Sequence, residues 1–215
     1  AGIRALAEYG LQSSDPREWQ RQLRLVHEVS LRSSHLTDQL LALALADEAR
    51  VSLVREPVRL DELVTAAVIR ASVQARADGV DLGADGVELP LTVMGSPALV
   101  EGMLNNLIDN ALRYGRPRDG SMAEITVGLR QQGGQVELSV TDNGPGLSEE
   151  ECEKLLARGV QGYAGRSHGR GLGLGLSIVT RYAQLLGAEF RLRRPPGGQG
   201  LQAQVLFGAP PEPAA

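Results

Sequence analysis

The stretch NNLIDNALRY, residues 105–114, is where the reading of this chain is decided. Asn106 and Asn110 stand four apart, which puts them on one face of a helix. Side-chain amides at that spacing can ligate a hard cation and hydrogen-bond phosphate oxygens without repelling them. Arg113, three beyond Asn110, can neutralise phosphate charge, and Tyr114 closes the helix with an aromatic edge a base could use. The same residues also make an ordinary polar helix surface, so the stretch has to be read with its neighbours. Upstream, Ser96 is an N-cap and Pro97 a first helical residue, which predicts a helix through about Tyr114.

Downstream, EITVGLR and QVELSVTD alternate at period two around Gly133-Gly134 and read as a β-hairpin. Its second strand runs into TDNGPGLS, so Asp142 stands at a strand end with Gly144 and Gly146 behind it. A carboxylate there can accept a hydrogen bond from an exocyclic amine such as that of adenine, and the glycines permit close approach to a ring. Asp-Asn-Gly-Pro equally suits a plain strand-to-turn junction. Further on, GRGLGLGLSIV (169–179) sets Gly171, Gly173 and Gly175 before a helix predicted from about Leu174 to Leu186. Alternate glycines let backbone amides converge on an anion at a helix N-terminus, or pack a tight turn on a neighbouring helix. A Walker A loop is excluded, because the only lysine, Lys154, follows Glu153. The dinucleotide fingerprint also fails, because positions 174, 176 and 178 are Leu174, Leu176 and Ile178.

The order is specific: Asn-x-x-x-Asn on a helix, Asp-x-Gly-x-Gly after a strand, Gly-x-Gly-x-Gly before a helix. It resembles the ATP site of the gyrase, heat-shock-90, histidine-kinase and MutL superfamily. In that resemblance Asn106 and Asn110 form the N box, with Asn110 and Asn106 as Mg²⁺ ligands. Asp142, Gly144 and Gly146 form the first glycine box, and Gly171, Leu172, Gly173, Leu174 and Gly175 the second. Arg113 and Tyr114 belong to the same ATP site. Hydrolytic members carry a glutamate where this chain has Asn106, and an amide cannot take a proton from water. The phenylalanine-rich box before the lid is reduced to EKLLARGVQG, with Arg158 and Gln161 as contacts for the γ-phosphate and Mg²⁺.

The bulk numbers are compatible with this. The chain has 215 residues, 42% of them hydrophobic, enough for one domain and a smaller element. A net charge of −4 gives no sign of direct nucleic-acid binding, and Cys152 alone cannot form an intramolecular disulfide. No apolar run is long enough to span a membrane.

The first quarter narrows the resemblance. Ala1–Ser13 reads as helix; Asp15, Pro16 and Glu18 open a second helix to about Arg50, with Glu18 placed as in a capping box. Val26, Val29, Ser33, Leu36, Leu40 and Leu43 make a coiled-coil-like seam on it. One hairpin buries little, so a homodimeric four-helix bundle is expected. LTDQLLALALADEA followed by EPVRLDELV looks like the second dimerisation helix and linker of a sensor histidine kinase of the OmpR-partner class.

The expected fold is therefore α+β. It is a two-layer α/β sandwich of the Bergerat type, a mixed sheet with helices on one face, preceded by the helical hairpin. Its expected domains are 1–52 for dimerisation, 53–208 for ATP binding, and a disordered tail 209–215. The other predicted elements are a helix over LDELVTAAVIRASVQARA (60–77) capped by Asp61, short strands around Val80–Val93, a loop over 160–171, and closing strands near Glu189–Arg193 and Leu201–Phe207.

What the resemblance implies is an ATP-dependent protein-histidine kinase of a two-component system, with ATP and Mg²⁺ as cofactors. Its partners would be a second copy and a response-regulator receiver domain. The chain would be the cytoplasmic portion of a membrane sensor, joined to the membrane only through upstream segments. The acceptor histidine is expected a few residues before Ala1. His27-Glu28 copies only the first two letters of the acceptor box, and His35 and His168 read as solvated residues. The alternatives are a dimeric module that binds ATP without transfer, and a serine kinase of the anti-sigma type.

Overall fold

The computed structural model describes residue 15 and residues 17–26, 54–161 and 174–208, with only the backbone at 158–161 and 174. The chain divides into two compact units, Ala1–Leu45 and Ala46–Ala215. In the first, residues 17–26 form helix α1. Asp15 Oδ1 accepts the Arg17 amide at 2.9 Å, the N-cap bond expected of it. Glu18 Oε1 accepts Gln22 Nε2 at 2.7 Å, one turn on. The first predicted helix, the seam from Val29 onward, the three histidines and the tail lie outside the described residues.

The second unit begins with strand β1 (Glu56–Arg59), helix α2 (Leu60–Ala77), β2 (Val80–Asp85), β3 (Thr92–Gly95) and α3 (Pro97–Tyr114). It continues with β4 (Ala123–Gln132), β5 (Gln135–Asp142), α4 (Glu149–Gln161), α5 (Leu174–Leu186), β6 (Glu189–Arg193) and β7 (Leu201–Phe207). Five strands form one sheet in the order β2-β4-β5-β7-β6. The β2–β4 pair is parallel and the other pairs are antiparallel, so the sheet is mixed, as expected.

Period two decides which side of the sheet is covered. Ile125, Val127 and Leu129 of β4, Val136, Leu138 and Val140 of β5, and Val205 and Phe207 of β7 are buried. Glu124, Thr126 and Arg130, which alternate with or flank them on β4, are exposed. Onto the buried face α3 brings Met103, Leu104, Leu107 and Ile108, and α5 brings Ile178, Val179 and Ala183. These side chains recur at three and four residues, the stripe a helix needs to lie on a sheet. The hairpin turn is Gly133-Gly134 at φ +59° and +78°, the left-handed pair that matches strand twist.

Two expectations need correction, the Asp61 cap and the start of the loop at 160. Asp61 is not a helix cap: α2 starts directly from β1 with Arg59 at the N-cap, and Asp61 lies in the first turn. Its buried carboxylate accepts Arg59 Nε at 3.0 Å, Arg59 Nη2 at 2.6 Å and the Leu91 amide at 3.1 Å. The helix expected over LDELVTAAVIRASVQARA is α2 with the same bounds, and β1 ahead of it pairs antiparallel with β3 apart from the main sheet. Ser96 is the N-cap of α3 and Pro97 its first residue, as expected, with no side-chain capping bond from Ser96. Finally, α4 runs through Gln161, into the stretch expected to be loop. Its start is a reciprocal capping box: the Ser148 amide donates to Glu151 Oε2 at 2.8 Å and the Glu151 amide to Ser148 Oγ at 3.2 Å.

Candidate functional site

Two groups of the predicted residues lie along α3, one near its middle and one at its C-terminal end. Near its middle, Asn106 and Asn110 are half-buried and meet the first residues of α5. A Cβ on Gly175 would lie 3.2 Å from both Asn110 Nδ2 and Oδ1, and 3.3 Å from Asn106 Oδ1. A side chain at 175 would be in tight contact with both amides. Asn106 Nδ2 donates to the Gly102 carbonyl at 2.8 Å, which turns its oxygen towards Gly175. Asn110 Nδ2 is buried and has no hydrogen-bond partner among the described residues. An unmade buried bond costs about 1–3 kcal/mol, and a nucleotide phosphate or its bound water would satisfy it.

At the C-terminal end of α3 stands Asp142, 8% exposed at the last position of β5. Its Oδ1 accepts the Gly144 amide at 2.9 Å and the Leu201 amide at 3.3 Å, so Oδ2 is the oxygen left for a ligand. Burial raises the Asp142 carboxyl above its ordinary pKa, and the two amides pull it back. The neighbouring Asn143 has a different task. Its Oδ1 accepts the Glu124 amide at 2.8 Å and its Nδ2 donates to the Met122 carbonyl at 2.9 Å, fastening the end of β5 to the start of β4.

Two residues that sequence reasoning missed complete this end, Gly115 and Gly200. A Cβ on Gly115 would lie 2.5 Å from Asp142 Cβ, and one on Gly200 would lie 1.8 Å from the Asp142 carbonyl oxygen. Gly144 and Gly146 were read as room for a ring. In the fold a Cβ on Gly144 would lie 2.7 Å from the Gly115 backbone and one on Gly146 would lie 2.4 Å from the Gly200 oxygen. The sequence offered a weak signal for Gly115, as the residue just past Tyr114, and none for Gly200 beyond a turn.

Arg113 and Tyr114 are exposed at the end of α3. Arg158 and Gln161 fall on the last turns of α4, with backbone position alone described, as for Leu174 on α5. Gly171, Leu172 and Gly173 lie outside the described residues. Along α3 the rise of about 1.5 Å per residue puts Asn110 about 7 Å and Asn106 about 13 Å from Gly115.

The donor set suits a hard cation and phosphates: two neutral amide oxygens converging beside Gly175, with an unsatisfied buried N–H between the same elements. Among the described residues no group of three or more His, Cys, Asp or Glu side chains could hold a metal. A magnesium ion here would therefore rest on amide oxygens, water and the phosphates.

A mixed five-stranded sheet under helices, with this arrangement along one of them, defines a two-layer α/β domain of the ATP-binding class. Residues 95–211 match the family of histidine kinase-, DNA gyrase B- and HSP90-like ATPases, and the chain belongs to that family. It is 34% identical over 207 residues to the sensor protein kinase PmrB of Pseudomonas aeruginosa, covering 96% of this chain and 42% of that protein. It is 32% identical over 196 residues to the sensor-like histidine kinase SenX3 of Mycobacterium tuberculosis, covering 89% of this chain and 46% of that one. The chain thus spans less than half the length of these curated relatives. Among solved structures it is similar to the mycobacterial sensor histidine kinase MprB, with a TM-score of 0.58 and 25% identity over 74% of this chain and 99% of that one. Among the described residues no helix is long and apolar enough to cross a membrane.

Proposed function

We propose that this chain is the ATP-binding catalytic part of a sensor histidine kinase. It would transfer the γ-phosphoryl group of ATP to a protein histidine, from which the group passes to an aspartate of a response-regulator receiver domain. The observation that carries the reading is the meeting of Gly175 with both asparagines beside an Asn110 Nδ2 that has no partner among the described residues, about one to two helical turns from the end of α3 where a buried carboxylate stands.

In this reading the adenine amine donates to Asp142 Oδ2 and the phosphates lie along α3 towards Asn110, Asn106 and the start of α5. Asn110 and Asn106 hold Mg²⁺ together with the phosphates, and the ion supplies positive charge to the phosphate oxygens. Arg113 neutralises phosphate charge, Arg158 and Gln161 add contacts to the γ-phosphate and Mg²⁺, and Tyr114 stands beside the base. The protein acts by placing the γ-phosphorus in line with a neutral imidazole and by neutralising charge. Asn106 favours transfer over hydrolysis, because an amide cannot serve as the base for an attacking water.

The dimerisation hairpin at 1–52, the second copy it would bind, the catalytic domain at 53–208 and a membrane link outside the chain belong to the same proposal. The test supplies a dimerisation domain bearing His-Glu-Leu-Arg-Thr-Pro-Leu together with ATP labelled at the γ-phosphate. An acid-labile, base-stable label on histidine is expected. ATP binding without any label would favour a binding module, and an acid-stable phosphoserine would favour the anti-sigma type of kinase.

A further inference from the structure

We infer that Gly115 is a positioning residue for base recognition: its missing side chain fixes where the Asp142 carboxylate stands, and so sets the preference for a 6-aminopurine. The inference rests on the nucleotide reading above.

Glycine at 115 is not demanded by the backbone. Gly115 has φ −83° and ψ +23°, a conformation open to any L-residue. What demands glycine is space. An alanine Cβ there would lie 2.5 Å from Asp142 Cβ, 2.7 Å from Asp142 Cγ and 2.6 Å from the Ala111 carbonyl oxygen. None of these is the far end of a flexible side chain. The Ala111 oxygen belongs to the last turn of α3, where it accepts the Gly115 amide at 2.8 Å. Asp142 Cβ is fixed by β5, and Cγ by the two amides on Oδ1. A methyl group at 115 must therefore push the carboxylate off its present position or part α3 from β5.

Three more glycines hold the same carboxylate from other sides. Gly144 meets Gly115 backbone to backbone, which sets the loop whose amide binds Oδ1. Gly200 lies on the Asp142 carbonyl, which brings the Leu201 amide to the same oxygen. Gly146 in turn packs on Gly200. Gly200 and Gly146 have φ of +94° and +66°, so alanine at either would strain the backbone as well. Gly115 and Gly144 lack that complication and isolate the spatial effect.

The experiment compares ATP with ITP, which carries oxygen where adenine carries the 6-amino group. Binding of each to the full chain is measured by calorimetry, with far-UV circular dichroism as the check on folding. The wild type is expected to prefer ATP by about tenfold or more, the range for a hydrogen bond to a charged group. In Gly115→Ala, ATP affinity should fall to the ITP level while ITP affinity stays, so the ratio approaches one. Gly83→Ala, with nothing within 4 Å of the added carbon, should keep the wild-type ratio.

If Gly115→Ala does not fold, Gly144→Ala, which presses on the Gly115 backbone, is expected to collapse the ratio instead. A retained ratio, an equal loss of both nucleotides, or unfolding of both variants overturns the inference. A wild type that binds ATP and ITP alike overturns it but leaves ATP binding standing. A wild type that binds neither overturns the nucleotide reading itself.

Discussion

Replacing Asn110 with alanine should separate stability from function. Among the described residues its Nδ2 is buried without a partner, a condition that costs about 1–3 kcal/mol. Alanine removes that donor and loses only the small packing of an amide against Gly175. The two effects oppose each other, so free stability should change by less than about 0.5 kcal/mol or rise by up to about 1 kcal/mol. Binding should respond in the opposite sense. At a ligand concentration 100 times Kd, nucleotide adds about 2.7 kcal/mol to wild-type stability. Loss of one hydrogen bond to a charged phosphate weakens binding about tenfold or more, which cuts that increment to about 1.4 kcal/mol or less.

The assay is urea unfolding with and without Mg-ATP, followed by far-UV circular dichroism. The only tryptophan, Trp19, lies in the other compact unit and would not report this transition. A variant less stable than wild type by more than about 1.5 kcal/mol, with an unchanged ATP increment, would refute the reasoning.

Asp61 governs acid stability. The hydrogen bonds from Arg59 hold its carboxyl below the ordinary value against the opposing effect of burial. Its stabilisation is therefore complete above the unfolded carboxyl pKa and is lost as pH falls through the lower, folded one. Asp61→Asn should be less stable at neutral pH and lose less on acidification, read by thermal unfolding across pH 2–7; parallel curves would argue against it. Asn143→Ala removes two hydrogen bonds between β4 and β5 and should cost about 1–3 kcal/mol in urea unfolding. Ser148→Ala should cost about 1 kcal/mol by loss of the cap on α4, and hydrogen exchange should rise first at residues 149–152.

Much of the fold was legible because its large elements carry strong periods. The β4–β5 hairpin shows alternation and a Gly-Gly turn, and α3 and α5 show apolar stripes. The β1–β3 pair was hidden: each strand has four residues, and Pro57 reads as a strand breaker that only an edge tolerates. Asp61 misled because a strand runs straight into α2, so the acidic residue that resembles a cap instead ties down Arg59 and Leu91. The start of α4 could have been found from Ser148 and Glu151, whose spacing is that of a capping box.

At the site, the side chains with evident chemistry were legible, Asn106, Asn110 and Asp142 above all. The contacts that place Asp142 were not. Gly115, Gly144, Gly146 and Gly200 act through backbone approach between segments distant in sequence, and a glycine without a partner in view looks like any turn.

A crystal structure of the chain with Mg²⁺ and a non-hydrolysable ATP analogue tests the central claim most directly. The account predicts the adenine amine on Asp142 Oδ2 and the phosphates beside Asn110 Nδ2, Asn106 and the start of α5. A nucleotide bound elsewhere, or a base that leaves Asp142 uncontacted, would contradict it.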